Sequence, residues 1–236
     1  MKPKRMLCRA CLARSRDDQA SLAEADRLAK PWGWTTEDVH RESAGALRLI
    51  GVPPATADAT LDACADLPPD LVNELRQWAD NPNGFLMLTG AAGSGKSWSA
   101  AAVLREVLTS GRAKLSDCRF VTEAAYLSRL RESYGQDTPA RLLPAHHPHR
   151  VRLLVFDDLA ATRLTDWGKG EIASLVCGRH ADDLPTIVTS NLSLADIAQA
   201  IDPRVASRVG EGGQVLTFPA RDLRLECPRR ETVGIR

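Results

Sequence analysis

The sequence predicts an α/β protein whose core is a mainly parallel sheet flanked by helices. Three observations predict this class: strand-length apolar segments alternate with helix-length amphipathic segments, the apolar segments lack polar alternation, and a glycine-rich turn joins one of them to a helix. The chain has 236 residues, of which 44% are hydrophobic and 26% charged. That length and composition suit one folded domain with a modest appendage rather than a disordered or fibrous chain.

Prolines and glycines interrupt periodic structure near residues 51–70 and divide the chain there. Ahead of that break, residues 17–30 carry one apolar face and are predicted as a helix. A second helix is predicted from the capping box Thr35-x-x-Asp38 up to Gly51, because glycine commonly ends a helix. The predicted regions are a small helical partner-binding region, a linker and the main α/β domain: residues 1–50, 51–68 and 69–236.

After the break, strands and helices alternate along the main domain. Pro69 suits the first turn of a helix, and Gly111 suits the position just after one. The apolar segments that separate the helices have the length of strands. In chain order the predicted elements are helix 69–79, strand 85–89, helix 96–110, strand 118–122, helix 123–133, strand 151–156, helix 169–180, strand 186–190, helix 193–201 and strand 214–218.

The turn after strand 85–89 has the pattern G-x-x-x-x-G-K-[ST] of a phosphate-binding loop. Its glycines allow a tight turn whose backbone N–H groups face a triphosphate, and the following helix adds the positive end of its dipole. Lys96 is placed to reach the β- and γ-phosphates, and the Ser97 hydroxyl is placed to bind Mg²⁺. The sequence therefore predicts a site for ATP and Mg²⁺ formed by Gly90, Ala91, Ala92, Gly93, Ser94, Gly95, Lys96 and Ser97.

Two carboxylates follow the apolar strand that begins at residue 151. Asp157 is predicted to hold Mg²⁺, whereas Asp158 is predicted to polarise the attacking water. A strand and its helix lie between Lys96 and Asp157 in the chain, so another strand has room between the two motif strands in the sheet. That arrangement is typical of the ATPase division of P-loop folds rather than of small nucleotide kinases.

Two more candidate groups lie further along the chain. Asn191 follows strand 186–190 and is predicted to orient water against the γ-phosphate, although asparagine after a strand also forms turns. Arg204 and Arg208 are four residues apart, which places them on one face of a predicted helix. Such an arginine either reaches ATP in a neighbouring subunit or pairs with nearby acids at the surface.

Together these motifs resemble the DnaC/IstB-like group of AAA+ ATPases. The resemblance covers roughly residues 50–226. It includes the phosphate-binding loop, LLVFDDL at residues 153–159, TSN at 189–191, the arginine pair at 204–208 and ARDLR at 220–224. The acid pair followed by TSN and the paired arginines is the more specific part, since the first two motifs occur in many P-loop proteins.

The resemblance also implies roles for single residues. Arg208 would be an arginine finger, and Arg224 would be the sensor 2 arginine. A glycine is usual where Ala160 stands, and Asp158 replaces the glutamate of most AAA+ proteins, which suggests slow turnover. The short stretch after Asp222 further predicts that the multi-helix lid of most AAA+ proteins is absent or minimal here, as expected of helicase loaders.

The function that the resemblance implies is ATP-dependent loading of a replicative helicase in DNA replication. Such a protein would be an ATPase, bind single-stranded DNA and associate with itself in an ATP-dependent ring or spiral. Two alternatives stay open: an IstB-like ATPase that assists a transposase, and a nucleotide-gated adaptor that hydrolyses ATP very slowly. A P-loop small-molecule kinase is disfavoured by the acid pair and by the paired arginines.

The N-terminal arm is basic and carries two thiols. Residues 1–16 contain six basic and no acidic residues, whereas the whole chain has a formal net charge of +1. This arm suits nucleic acid, an acidic protein surface or simply solvent. Cys8 and Cys11 supply half of a tetrahedral zinc site, but the sequence has no second pair of this spacing, so free thiols are the alternative.

The remaining sequence features bear on location and metal binding. No apolar segment is long enough to span a bilayer, and the N-terminus lacks the apolar core of a signal peptide. Six scattered cysteines do not suit a disulfide scaffold, so a cytoplasmic location is expected. The histidines of a proline-flanked loop are predicted to be exposed rather than metal-binding: His146, His147 and His149.

Overall fold

Strands and helices alternate along the chain in the computed structural model, which describes residues 34–64, 66–134, 148–211 and 213–223. Short 3₁₀ turns lie in two of the connections. The elements are α1 (Thr36–Arg41), α2 (Ser43–Leu49), α3 (Pro69–Asp80), β1 (Phe85–Thr89), α4 (Lys96–Thr109), β2 (Cys118–Thr122), α5 (Glu123–Tyr134), β3 (Leu153–Leu159), α6 (Asp166–Ala181), β4 (Thr186–Ser190), α7 (Leu194–Ala200), α8 (Pro203–Glu211) and β5 (Gln214–Thr217).

The strands of the described residues form one sheet, in the order β2-β3-β4-β1-β5, and every pair is parallel. Alternate residues of β1 enter two different apolar cores, with Leu86 and Leu88 in one and Phe85 and Met87 in the other. The sheet is therefore covered on both faces, as its unbroken apolar strands predict. Because β4 lies between β1 and β3, the predicted separation of the two motif strands is confirmed.

The third strand differs from its prediction. The sequence predicts strand 151–156, whereas β3 runs from Leu153 to Leu159 and includes both acids. The strand continues past the acids because its pairing with β4 resumes after a bulge, where Leu159 lies opposite Ser190. The bulge also explains why the two neighbouring acids occupy different environments.

The predicted helix up to Gly51 is interrupted. Thr35 forms the predicted capping box with Asp38, but the backbone leaves the helical conformation at Glu42, at φ −130° and ψ 45°. The break turns α2 toward α4, where the Arg105 guanidinium donates to the Ser43 hydroxyl. Two helices, α1 and α2, therefore replace one.

The described part of the N-terminal region packs on the main domain. Ala46, Leu47 and Ile50 are buried in the same apolar core as Leu104 and Leu108 of α4. Residues from the predicted linker are buried in that core too: Val52, Ala57, Ala59, Leu61, Cys64 and Leu67. The boundaries at residues 50 and 68 stay predictions, and the predicted helix 17–30 lies outside the described residues.

Three further predictions concern single regions. The prediction is wrong for His149, which is half-buried and packs against Tyr126, with 3.1 Å between its Nε2 atom and the Tyr126 hydroxyl oxygen. His146 and His147 lie outside the described residues. Within residues 34–64, 66–134, 148–211 and 213–223, no helix has the length and apolarity that crossing a bilayer requires. The lid prediction concerns the chain after residue 223, outside the described part.

Candidate active site

The phosphate-binding loop joins β1 to α4 at the carboxyl edge of the sheet. Gly93 and Gly95 adopt left-handed backbone conformations, with φ of 77° and 98°, that side chains with a Cβ rarely adopt. A Cβ atom on Gly93 would also overlap the Asp222 carboxylate, so that side chain would have to move to admit one. The backbone conformation of the turn therefore favours glycine at both positions.

Lys96, the first residue of α4, is only 6% exposed. Its ammonium group donates hydrogen bonds to the carbonyl oxygens of Gly90 at 2.8 Å and Ala91 at 2.6 Å. A third donation reaches the Ser94 hydroxyl at 3.4 Å. The loop therefore holds the Lys96 ammonium group close to the N–H groups of the first turn of α4. Together these groups make the site electropositive and suited to phosphate.

Asp157, the predicted Mg²⁺ ligand, is 3% exposed. Its Oδ1 atom accepts a hydrogen bond of 2.6 Å from the Thr189 hydroxyl, and the Ser97 hydroxyl lies close to the carboxylate. Burial raises the pKa of Asp157, whereas the Thr189 hydrogen bond and the nearby Ser97 hydroxyl oppose the rise. The structure thus brings together Ser97 and Asp157, the two predicted Mg²⁺ ligands, although the sequence separates them by sixty positions.

Asp158, the predicted water-polarising residue, is exposed next to the buried Asp157. Its backbone is left-handed, with φ of 60°, and its N–H donates to the Thr189 hydroxyl oxygen at 2.9 Å. One hydroxyl therefore fixes both acids, since it donates to the side chain of Asp157 and accepts from the backbone of Asp158. The sequence places Thr189 in the TSN motif but does not predict this role.

Asn191 lies just beyond β4 and is exposed at the same edge of the sheet. The neighbouring chain is tied to β1, because the Thr89 hydroxyl donates to the Leu192 carbonyl oxygen at 2.7 Å. Ser190, also in the TSN motif, donates to the Leu159 carbonyl oxygen at 2.7 Å and so fixes the residue after the acid pair. The structure therefore places Asn191 just after the strand between β1 and β3, and its water-orienting role stays a prediction.

The two arginines of α8 are exposed and pair with nearby acids. Arg204 donates to both carboxylate oxygens of Asp202, at 3.1 and 2.9 Å, and these bonds lower the pKa of Asp202. Arg208 donates to Glu211 Oε2 at 3.0 Å and keeps 45% of its side-chain surface exposed. The structure thus shows the surface pairing that is the alternative to the finger role, and Arg208 stays accessible to solvent.

The other predicted site residues lie outside the described residues: Cys8, Cys11 and Arg224. Just before Arg224, the Leu223 N–H donates to the Gly93 carbonyl oxygen at 3.0 Å. Among the described residues no cluster of three or more His, Cys, Asp or Glu side chains could hold a metal ion. Ser97 and Asp157 nonetheless fit Mg²⁺, which is held in proteins by one or two carboxylates together with hydroxyl, water and phosphate oxygens.

Comparison with protein families identifies the chain. A family model described as IstB-like ATP binding protein matches residues 36–209, which is most of the chain. The chain belongs to this IstB-like family. The matched range includes the phosphate-binding loop, both acids, Asn191 and Arg208, whereas Arg224 follows it.

Individual relatives of this IstB-like chain are helicase loaders. The replicative helicase loader DnaC of Escherichia coli strain K12 is 22% identical over 147 residues, which are 61% of this chain and 58% of DnaC. The chain therefore spans less than two thirds of the length of the curated relatives it matches.

Solved structures show the same fold. The crystal structure of the DnaC helicase loader has a TM-score of 0.62 at 24% identity and covers 71% of this chain and 100% of the DnaC chain. The crystal structure of DnaI has a TM-score of 0.61 at 18% identity and covers 72% and 96% of the two chains. Identities this low establish the fold alone, and the fold is that of an AAA+ P-loop ATPase domain of DnaC/IstB type.

Proposed function

We propose that this IstB-like protein hydrolyses ATP and loads a replicative helicase, and that it binds single-stranded DNA as an assembly of several copies. One observation carries the hydrolytic part: the buried Asp157 lies beside Ser97 while the exposed Asp158 is held on a fixed turn next to it. The loader part is supported by the similarity to DnaC in sequence and fold.

The proposed mechanism assigns binding and chemistry to different residues. The backbone N–H groups of the loop and Lys96 bind the phosphates of ATP. Ser97 and Asp157 hold Mg²⁺, which when bound neutralises charge on the β- and γ-phosphates. Asp158, outside that buried pair, orients the water that attacks the γ-phosphate, and Asn191 contributes from the neighbouring strand end.

Two arginines complete the proposed site. Arg208 is exposed on α8 and would stabilise the γ-phosphate of ATP bound to a neighbouring copy. The hydrogen bond from Leu223 to Gly93 holds the chain at the phosphate-binding loop directly before Arg224, which supports the sensor 2 role for that arginine. The site is then composite, so turnover depends on assembly.

A second candidate function is assistance to a transposase. The family match favours it, because that match is to the IstB-like model and extends over residues 36–209, beyond the stretch of 147 residues shared with DnaC. The same ATP site would serve both functions, so they differ only in the protein partner.

The proposed function is tested by joining a turnover assay to a capture assay. ATP hydrolysis is measured with and without single-stranded DNA, and immobilised protein is offered the replicative helicase or the transposase of the same host, with Lys96→Ala as the nucleotide-free control. DNA-stimulated turnover and ATP-dependent capture of the helicase support the loader. Capture of the transposase alone supports the second candidate, and ATP-dependent capture with barely measurable turnover indicates an adaptor.

A further inference from the structure

The turn that follows the acid pair has two residues in an unfavourable backbone conformation. Asp158 and Ala160 have φ of 60° and 56°, and neither is glycine. A left-handed conformation is costly for any residue with a Cβ atom, so it persists only where surrounding contacts impose it. The contacts that impose this turn therefore also fix the position of Asp158.

Glu123 supplies one of these contacts. It is the first residue of α5 and directly follows Thr122, which lies opposite Asp157 in the β2–β3 pairing. Its Oε2 atom accepts a hydrogen bond of 2.6 Å from the Ala160 N–H, and its side chain is 3% exposed. A buried carboxylate that accepts a backbone N–H makes a strong hydrogen bond, because the interaction is charge-assisted and shielded from water.

The other contacts to the turn come from β4. The Thr189 hydroxyl accepts from the Asp158 N–H, and the Ser190 hydroxyl donates to the Leu159 carbonyl oxygen. These contacts hold the part of the turn that precedes Ala160 and come from the opposite side of β3. Glu123 therefore holds the end of the turn that β4 leaves free.

We propose that Glu123 is a positioning residue that holds Ala160 in the left-handed conformation and so presents Asp158 to the attacking water. This inference rests on the proposed hydrolysis of ATP. Glu123 touches neither nucleotide nor water in this role and acts only through the backbone. A glycine at position 160 would adopt the same turn at lower cost, so the carboxylate compensates for the alanine. Burial, opposed by the Ala160 hydrogen bond, raises the pKa of Glu123, in keeping with a carboxylate enclosed by protein.

The test compares Glu123→Ala with the double variant Glu123→Ala/Ala160→Gly in the full chain. Exchange of the Asp158 amide hydrogen, measured by NMR on nucleotide-free protein, reports the turn, while kcat and the Kd for ATP report the site. In Glu123→Ala we expect exchange to quicken and kcat to fall, each by about ten-fold or more, since a hydrogen bond to a charged group is lost. The Kd should stay within about two-fold, because the hydrogen bond of Glu123 goes to the Ala160 backbone and not to the phosphate-binding loop.

Restoration by glycine separates positioning from general stability. The double variant should recover kcat and Asp158 amide protection by about five-fold, because glycine removes the conformational cost at position 160. Glu123→Gln keeps size and an acceptor oxygen, so it should show a smaller loss that Ala160→Gly also restores, and it serves if Glu123→Ala does not fold. Glu132→Ala, at an exposed position on the same helix, is the matched control and should change neither quantity.

Two results would overturn the inference. The first is unchanged exchange at Asp158 in Glu123→Ala, and the second is a loss of kcat that tracks a lower Tm and is not restored by glycine. If Asp158→Asn stops turnover while the Glu123 variants do not affect it, only this inference fails. If the wild-type protein does not hydrolyse ATP, the proposed function fails, and the exchange measurement still decides whether Glu123 holds the turn.

Discussion

Asp157 and Asp158 are neighbours in the sequence but lie in opposite surroundings. Asp157 is buried and accepts a hydrogen bond from the Thr189 hydroxyl, whereas Asp158 is exposed on a left-handed turn. A buried carboxylate beside Ser97 is placed for a ligand already present in the ground state. An exposed carboxylate on a rigid turn is placed to orient water, and this contribution lowers mainly the energy of the transition state.

Substitutions at the two acids should therefore have different kinetic effects. We expect Asp157→Ala to weaken Mg²⁺-dependent ATP binding by at least about ten-fold, because the metal loses a charged ligand. Asp158→Asn should leave the Kd within about two-fold and lower kcat by roughly 10²–10⁴, the usual range for loss of a general base. Calorimetric titration with and without Mg²⁺, joined to steady-state turnover, makes the comparison. Equal losses of affinity in both variants would contradict the division of roles.

Most of this site could be predicted from single residues, but its support could not. The loop, Lys96 and both acids form continuous motifs whose chemistry is legible in the sequence. Thr189 and Glu123 act through contacts between strands and helices that are distant in the chain, so their roles depend on strand order and on the bulge in β3. A polar residue at the end of a strand was the only sequence signal available for either.

Arg179 is another residue whose role the sequence does not reveal. It is completely buried in α6, and burial lowers its pKa to about 10, so it stays charged at neutral pH. The guanidinium donates to the carbonyl oxygens of Pro148, Val151 and Pro185 and to the Thr186 hydroxyl at 2.7–2.9 Å. The arginine thus joins the starts of β3 and β4 to α6.

Removal of this charge should destabilise the fold. We expect Arg179→Met to lower the free energy of unfolding by about 3–5 kcal/mol, because several buried acceptors lose their donor at once. Arg150→Met, at an exposed position in the same region, should change it by less than about 0.5 kcal/mol. Denaturant unfolding of both variants provides the measurement. A loss below about 1 kcal/mol for Arg179→Met would show that water replaces the guanidinium without cost.

At the scale of whole elements, the strands agree with their predictions better than the N-terminal helices do. Strands 85–89, 118–122 and 186–190 are confirmed at both ends, because short segments with buried apolar centres have few alternatives in a parallel sheet. The helix boundaries before residue 51 are harder to predict, because two short helices with few apolar residues are positioned by the surface on which they pack. That surface is α4, which the sequence does not identify as their partner.

The packing of α1 and α2 on α4 predicts where the N-terminal region can be removed. Deletion of residues 1–33 keeps α1 and α2 in the chain, and capture of the protein partner should be lost. Deletion of residues 1–50 should lower the free energy of unfolding by about 3 kcal/mol or more, because buried residues of α4 such as Leu104 would be uncovered. Thermal unfolding and partner capture test both truncations. Equal stability of the two would show that α1 and α2 contribute nothing to the core.

The segment before β3 contains a group that should make stability depend on pH. Burial, and then the charge of Arg179, lower the pKa of His149 from its ordinary 6.5, while Glu171 and Asp182 oppose the shift. The unfolded chain therefore binds the proton more readily than the folded chain. The stability due to neutral His149 is complete above about pH 6.5 and is lost as the pH falls below that value toward the folded-state pKa.

This dependence can be isolated by substitution. As the pH falls from about 7.5 to 5.5, we expect the free energy of unfolding to decrease more steeply for the wild-type protein than for His149→Gln. The difference between the two slopes should be at most about 1.4 kcal/mol per pH unit. His40→Gln replaces an exposed histidine and should retain the wild-type slope. Urea unfolding across the pH series gives both slopes. Parallel curves for His149→Gln and the wild type would contradict the assignment.

In the proposed assembly, ATP is hydrolysed at a site shared by two copies of the chain. The order β2-β3-β4-β1-β5 brings the phosphate-binding loop, Asp157 and Asp158 together within one chain. Arg208 is exposed on α8 and pairs with Glu211. A surface pair of this kind contributes about 0–1 kcal/mol to stability, whereas an arginine supplied in trans contributes roughly 10³–10⁵ in rate. The two roles of Arg208 therefore predict effects of very different size.

The most direct measurement is ATP turnover by mixtures of two inactive variants. Lys96→Ala should not bind ATP, and Arg208→Ala should bind ATP and keep its Tm but lose turnover. A mixture should regain part of the activity, because an intact Lys96 site then meets an intact Arg208 from the other chain. Arg112→Ala, which removes another surface arginine paired with an acid, should stay active alone. No recovery on mixing, or turnover by Arg208→Ala equal to that of the wild type, would contradict the shared site.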